Sequence, residues 1–320
     1  MRLGSMSRFD YLLTKIEEAG FLDEPFRHIE IDGFFSDADF ARLLEAPEIR
    51  TDEVASDREL IEQLGKLSYK PIEFPGTASS ISDYLAWRDD PAHLHTNIDT
   101  CEGFGITLRL EKPTPGGIVG ELNAFFASTE FRRCLLEKFD LDENGVFPDV
   151  GLQKYLSGYE ISPHPDVRAK ALTYMINVNP DPDCERQDYH THYMRFTPSR
   201  SYVEAYWRGN PQHDRCWVPW SWCETVKRQV RNNSIVIFAP SEDTLHGVRA
   251  NYNHLPAQRT QFYGNLWYNR IDKVGKPSWH DFEIRPTPDR RVRTTLRQSI
   301  IDNMPMKENI RRIKQTVLGR

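Results

Sequence analysis

The sequence predicts a mainly β domain, a barrel or sandwich with flanking helices, and two observations predict it. From Leu152 onward the apolar residues come in short runs: L-Q-K-Y-L, A-L-T-Y-M-I-N-V-N, Y-V-E-A-Y-W, S-I-V-I-F, L-H-G-V and R-T-Q-F-Y-G-N-L-W-Y. Clusters of Pro, Gly, Asn and Asp part them. Regular short strands of this kind build barrels and sandwiches rather than alternating βαβ units. Before Leu152 the apolar positions recur mostly at helical spacing.

The front half reads element by element. Residues 9–19 have amphipathic helical spacing, and F-R-H-I-E-I-D-G-F-F-S reads as a strand running into a turn. The helix D-A-D-F-A-R-L-L follows, with Ser36 as its cap, because a serine oxygen there can accept from an unpaired amide of the first turn. Residues 58–68 and 80–88 give short helices on either side of the loop K-P-I-E-F-P-G-T. G-F-G-I-T-L-R-L, residues 103–110, alternates as a strand. Residues 117–139 read as two helices broken near Ser128. Residues 290–318 return to helical periodicity, interrupted at Pro305. With no linker evident, the expected organisation is one domain over residues 7–284. It comprises a helical buttress (7–150) and a β core (about 151–270), followed by a basic helical tail (285–320) packed on the core. The opening M-R-L-G-S-M reads as a cloning remnant before a natural start at Met6.

Composition sets the outer limits. Of 320 residues, 39% are hydrophobic and 28% charged, enough apolar material for a core and too much for wholesale disorder. No apolar run approaches the roughly 20 residues of a membrane helix, and the start has no signal-peptide pattern. Five cysteines, widely spaced and without C-x-x-C, argue against a disulfide framework or zinc knuckle and suit a reducing cytoplasm. The net charge of −6 is unevenly spread: residues 285–320 hold ten Lys/Arg against three Asp/Glu, leaving −13 on residues 1–284. An acidic body disfavours a nucleic-acid partner, and the basic tail reads as a solvated helix face docked on that body.

The chemistry concentrates around S-P-H-P-D-V-R. His164 and Asp166 are two apart, so on an extended chain both side chains point the same way and can reach a common point. Neutral imidazole with a hard carboxylate suits Fe(II), and a face of two His and one carboxylate leaves positions open. Alone, H-x-D is also what a surface turn between Pro163 and Pro165 would show. Eighty-two positions on, after the strand S-I-V-I-F-A-P, comes T-L-H-G-V with His246. Thirteen residues further, Arg259 opens R-T-Q-F-Y-G-N-L-W-Y. A planar guanidinium beside a metal is the donor a dicarboxylate needs.

In the order and type of these four features the sequence resembles the Fe(II)/2-oxoglutarate-dependent dioxygenases, most nearly their prolyl-hydroxylase-like branch. The likeness spans roughly residues 152–268, with I-D-G-F-F-S-D-A-D-F-A-R-L-L resembling the branch's opening strand and helix. The resemblance implies a double-stranded β-helix (jelly-roll) core. It implies iron held by His164, Asp166 and His246, and 2-oxoglutarate held through its distal carboxylate by Arg259, with Tyr155 and Asn177 nearby. The spacing to Arg259 exceeds that expected for the branch, with N-Y-N-H-L-P apparently inserted; Arg249 would sit too close to the metal ligand to serve instead. Asp166 stands where halogenating relatives carry Gly or Ala, which implies hydroxylation or a related oxidation. The implied reaction consumes O₂, releases succinate and CO₂, and would be supported in vitro by ascorbate.

Substrate contacts are expected among Arg109, His192, Tyr193, Arg195 and Trp222. Four of the seven tryptophans lie between Trp207 and Trp222, a stretch that reads as aromatic packing or as a substrate lid. The expected substrate is a small molecule or amino-acid-like compound. A peptidyl-prolyl type of hydroxylase, a nucleic-acid demethylase and a non-catalytic jelly-roll binding module are the alternatives. His190 and His192 form a second H-x-H, but the Glu of a cupin site is missing; Glu204 is twelve positions on. His93 and His95 read as surface. Hydrolase elbow, phosphate-loop and dinucleotide fingerprints are absent.

Overall fold

The computed structural model describes residues 7–73, 76–90, 99–101, 103–142, 145–269 and 274–275. The predicted basic tail and His93 and His95 lie outside them. In chain order the elements are α1 (Asp10–Glu18), β1 (Ile29–Asp32), α2 (Asp37–Leu44), α3 (Asp57–Lys66), β2 (Tyr69–Pro71), α4 (Ile81–Asp89), β3 (Gly103–Phe104), β4 (Thr107–Leu110), α5 (Ile118–Phe126) and α6 (Thr129–Phe139). Then come β5 (Val146–Tyr155), β6 (Glu160–His164), β7 (Lys170–Asn177), β8 (Thr191–Phe196), α7 (Tyr202–Gly209), β9 (Cys223–Arg228), β10 (Ser234–Phe238), β11 (His246–Arg249) and β12 (Arg259–Tyr268). Among the described residues no helix is long and apolar enough to cross a membrane, and none of the five cysteines is in a disulfide.

Two antiparallel sheets face each other. One has the order β1-β10-β7-β12-β5-β4-β2, the other β3-β6-β11-β8-β9. Within them, β5 to β12 nest as one long hairpin rolled up: β5 pairs with β12, β6 with β11, β7 with β10 and β8 with β9. This is the double-stranded β-helix. The front half is not wholly helical, because it adds strands to the edges of both sheets. The stretch predicted as a single strand at 103–110 crosses between sheets, β3 joining the smaller and β4 the larger. The crossing turns at Gly105, with φ +71°, where a Cβ would lie 2.9 Å from the Tyr159 backbone; only glycine takes that turn without strain.

Serine caps set the helix starts. The hydroxyls of Ser36, Ser56, Ser80 and Ser128 each accept from the amide three residues on, at 3.1 to 3.3 Å. The helices then cover the outer face of the larger sheet. Phe126 packs on Phe131, Phe262 and Tyr174 with ring centroids 5.1 to 6.1 Å apart, in a core that also takes Leu152, Leu172, Ile176, Ile235 and Leu266. Strand alternation sends the intervening residues to the space between the sheets.

One predicted strand is a helix. Y-V-E-A-Y-W forms most of α7, behind a 3₁₀ turn at Pro198–Arg200. Val203 and Trp207, four apart, are its buried residues and pack with Phe196, Val218 and Leu245. A six-residue run satisfies periods of two and of 3.6 about equally, and packing decided.

Lys154 is fully buried on the helix side of β5, with Nζ donating to the Ile49 carbonyl at 2.8 Å and to Thr260 Oγ1 at 3.0 Å. Two acceptors suit a neutral amine, and burial lowers its pKa to about 7. The unfolded chain therefore binds a proton between pH 7 and about 10 that the folded chain does not. Stability from this group should rise with pH across that window and be lost as pH falls to 7. Lys154→Met is expected to raise the urea midpoint at pH 7 and to flatten its rise between pH 7 and 9.

Candidate metal centre and its cavity

His164 is the last residue of β6 and His246 the first of β11, and the two are direct partners in the antiparallel ladder. Their ring centroids are 4.4 Å apart. Each ring is tied to the backbone two residues back in the same way: Nδ1 of His164 meets the Ser162 carbonyl at 2.8 Å, and Nδ1 of His246 meets the Thr244 carbonyl at 2.9 Å. A carbonyl only accepts, so Nδ1 carries the hydrogen and Nε2 keeps its lone pair. Burial, helped by the neighbouring His164, pushes His246 down to about 3.

Asp166 arrives by a different route from the extended pairing expected of H-x-D. The strand ends at His164, and Asp166 takes a left-handed backbone, φ +46°, which aspartate tolerates better than most residues. The turn brings Oδ1 to 3.6 Å from His164 Nε2 and Oδ2 to 4.0 Å from His246 Nε2. One ligand atom from each of the three residues lies within 4.8 Å of the others, the only such group among the described residues. The carboxylate is 4% exposed and held on both oxygens, Oδ1 by Lys170 Nζ at 2.6 Å and Oδ2 by Thr173 Oγ1 at 2.7 Å. Arg215 Nε clasps the Asp166 carbonyl at 2.9 Å. Burial alone would raise the carboxyl, but the Lys170 ammonium beside it holds it well below the usual carboxylate range. Two neutral imidazoles and an ionised carboxylate are the donor set of a divalent first-row metal, and they fit iron.

The triad opens on a cavity of about 400 Å³ between the sheets. Arg259 lies at another point of its wall, paired in register with Tyr155 and only 2% exposed. Its guanidinium carbon sits 4.5 Å over the Tyr155 ring. Nη2 donates to Thr191 Oγ1 at 2.9 Å and to Gln261 Oε1 at 3.0 Å, whereas Nη1 is buried without a partner among the described residues. A buried unpartnered N–H of a cation is costly, and a ligand carboxylate would satisfy it. The apparent insertion before Arg259 supports it. Tyr252 Oη donates to the Tyr155 carbonyl and accepts from the Arg259 amide at 2.9 Å. His254 is pinned between the Ser157 amide (3.0 Å) and Asp57 (2.9 Å).

Arg109, Tyr155 and Arg259 line the cavity with the triad; Asn177, Tyr193, His192, Arg195 and Trp222 do not. Asn177 spends its amide on the Gln229 and Arg231 carbonyls and accepts from Gln261 Nε2 at 2.6 Å, so it steadies the residue that steadies Arg259. Tyr193 is in the core, bonded to Gln229. His192 meets Thr225, exposed Arg195 pairs with Glu224, and Trp222 packs beneath Arg200. Sequence spacing does not say which of two alternating faces meets the cavity: His192 fell on the face opposite Thr191, whereas Tyr193 and Asn177 share the inner face, paired with His246 and Gln261, and are spent on Gln229 and its neighbours instead. Of the four tryptophans in that stretch only Trp217 lines the cavity, beside Arg215 and Cys216, its ring 6.0 Å from that of His164. Lys170, Thr173, Thr191, Gln261 and Tyr263 went unpredicted. Counting by twos from Arg259 would have found Gln261 and Tyr263.

No family model matches the chain, and no curated protein matches it. Solved structures do. A Pseudomonas putida prolyl-4-hydroxylase aligns over 82% of this chain and 100% of its own at 11% identity, TM-score 0.39. A prolyl hydroxylase from Trichoplax adhaerens, in complex with a hypoxia inducible factor peptide fragment, aligns over 81% and 88% at 10% identity, TM-score 0.38. HygX from Streptomyces hygroscopicus, with nickel, 2-oxoglutarate and hygromycin B bound, aligns over 84% and 90% at 9% identity, TM-score 0.35.

Thr173→Val keeps shape and removes the hydrogen bond to Asp166 Oδ2. Loss of an outer partner of a metal ligand typically costs 10- to 100-fold in metal affinity. Calorimetric titration with Mn(II) is expected to show a Kd about tenfold higher than that of the wild type.

Proposed function

We propose that this protein is an Fe(II)/2-oxoglutarate-dependent oxygenase that oxidises a C–H bond of a small or amino-acid-like molecule. The supporting observation is one cavity with two complementary stations: an open-faced His164–Asp166–His246 triad and, on the same wall system, the buried unpartnered Nη1 of Arg259. A metal face with open positions takes a chelating keto acid, and a guanidinium takes a second carboxylate. 2-Oxoglutarate carries both groups.

Each residue then has a task. His164, Asp166 and His246 would hold ferrous iron, which when bound would supply the O₂ activation that couples decarboxylation of 2-oxoglutarate, to succinate and CO₂, with oxidation of the substrate. The Nδ1 bonds of His164 and His246 keep Nε2 directed at the centre. Lys170 and Thr173 hold the Asp166 carboxylate ionised and oriented. Arg259, propped by Thr191 and Gln261, binds the far carboxylate of the co-substrate. Trp217, Tyr159 and Tyr263 wall the cavity and limit water.

Anaerobic addition of Fe(II) and 2-oxoglutarate should produce a visible charge-transfer band, and a screen of amino acids and small metabolites with iron and ascorbate should reveal substrate-dependent succinate. His164→Ala and His246→Ala should lose both signals. A wild-type protein without the band would be a binding module, and wild-type-like turnover in the two variants would refute the assignment. Arg259→Met removes one partner of a buried charge pair, worth about 2 kcal/mol or more. Its Kd for 2-oxoglutarate is expected to rise by at least roughly 30-fold.

A further inference from the structure

The inner face of β5 carries Asp149, Gly151, Gln153 and Tyr155 at alternate positions. Gly151 leaves a gap there, and Arg109 from neighbouring β4 fills it: a Cβ on Gly151 would lie 2.9 Å from Arg109 Cδ and 3.1 Å from Nε. The guanidinium is gripped on two edges. Asp149 takes Nη1 at 2.7 Å and Nη2 at 3.5 Å. The other edge presents Nε and Nη2, at 3.1 and 2.8 Å, to one end of the Gln153 amide.

Two N–H groups can converge only on an oxygen. The amide oxygen of Gln153 therefore faces Arg109, and its NH₂ faces the Tyr155 hydroxyl 2.6 Å away. The phenol oxygen is the acceptor in that bond, so its own hydrogen is left free. Burial raises the phenol's pKa, so that hydrogen stays on. Turned the other way, the amide would draw the hydroxyl hydrogen to itself and away from the cavity.

We infer that Arg109 and Gln153 are positioning residues that fix the polarity of Tyr155, making its hydroxyl a second donor, beside Arg259 Nη1, to the distal carboxylate of the co-substrate. The inference deepens the oxygenase reading and rests on it. Arg109 acts through the amide, its Nε and Nη2 turned to Gln153 and its Nη1 to Asp149. Without Arg109 the buried amide oxygen has no donor except the phenol, a better donor than acceptor, and the bond reverses. Gln153→Glu has the same consequence by another route, because a carboxylate accepts at both ends.

The test is a double-mutant cycle read by affinity. 2-Oxoglutarate is titrated anaerobically into the Fe(II)-loaded protein and followed by its charge-transfer band. Pyruvate, which keeps the chelating end and lacks the far carboxylate, is titrated alongside. Tyr155→Phe is expected to raise the Kd for 2-oxoglutarate about tenfold, the scale of one charge-assisted hydrogen bond, and to leave that for pyruvate unchanged. Arg109→Met is expected to approach the same tenfold loss, and Tyr155→Phe added to it to cost less than about twofold more. Gln153→Glu serves the cycle if Arg109→Met does not fold, with the same small added cost. Equal cost of Tyr155→Phe in wild-type and variant backgrounds overturns the relay. So does an unchanged Kd in Tyr155→Phe alone, or a matching loss for pyruvate. No band in the wild type overturns the oxygenase reading itself, a separate outcome.

Discussion

The site depends on the antiparallel pairing of β6 with β11. That register sets His164 opposite His246, so two residues distant in sequence become neighbours by backbone hydrogen bonding rather than by side-chain search. Each imidazole is then locked by a backbone carbonyl two residues back. Only the third ligand needs a special device. The left-handed turn at Asp166 folds the carboxylate towards the imidazoles, and Lys170, Thr173 and Arg215 hold the turn closed. Preorganisation of this kind places the ligands before any ion arrives.

Strand alternation does the rest of the positioning. Along β12 the residues at Phe262 and Leu266 seal the sheet against the helices. Arg259, Gln261, Tyr263, Asn265 and Trp267 face the cavity instead. A slip of one residue in that register would put the guanidinium into the apolar layer and two large apolar side chains into the cavity. Burial of Phe262 and Leu266 thus enforces the aim of Arg259, and the stability of the fold and the polarity of the cavity are aspects of one alternation.

Much of this was readable in the chain. The Ser36 cap, the broken helix pair at Ser128 and the full span of β12 followed from local pattern, because capping and alternation are short-range effects. The residues that would hold metal and co-substrate stood out because three strand signals bracket them in order. Two things resisted. Y-V-E-A-Y-W fits a strand as well as a helix, and only its packing against Phe196 and Leu245 separates them. Lys170, Thr173 and Gln153 look like ordinary strand residues; their importance comes from what the third dimension sets beside them. The substrate contacts failed for the same reason, since His192 and Tyr193 point to opposite faces and neither face was identifiable.

Nesting the strands as a rolled hairpin brings its two ends, β5 and β12, together at the middle of the larger sheet. Tyr155 and Arg259 meet across more than a hundred intervening residues, as do the first and last strands generally. Contacts so distant along the chain form late and make for slow assembly. A molecule cut short before β12 would lack the guanidinium and the strand that seats Tyr155 together, so competence should arrive in one step when the roll closes rather than build up piece by piece.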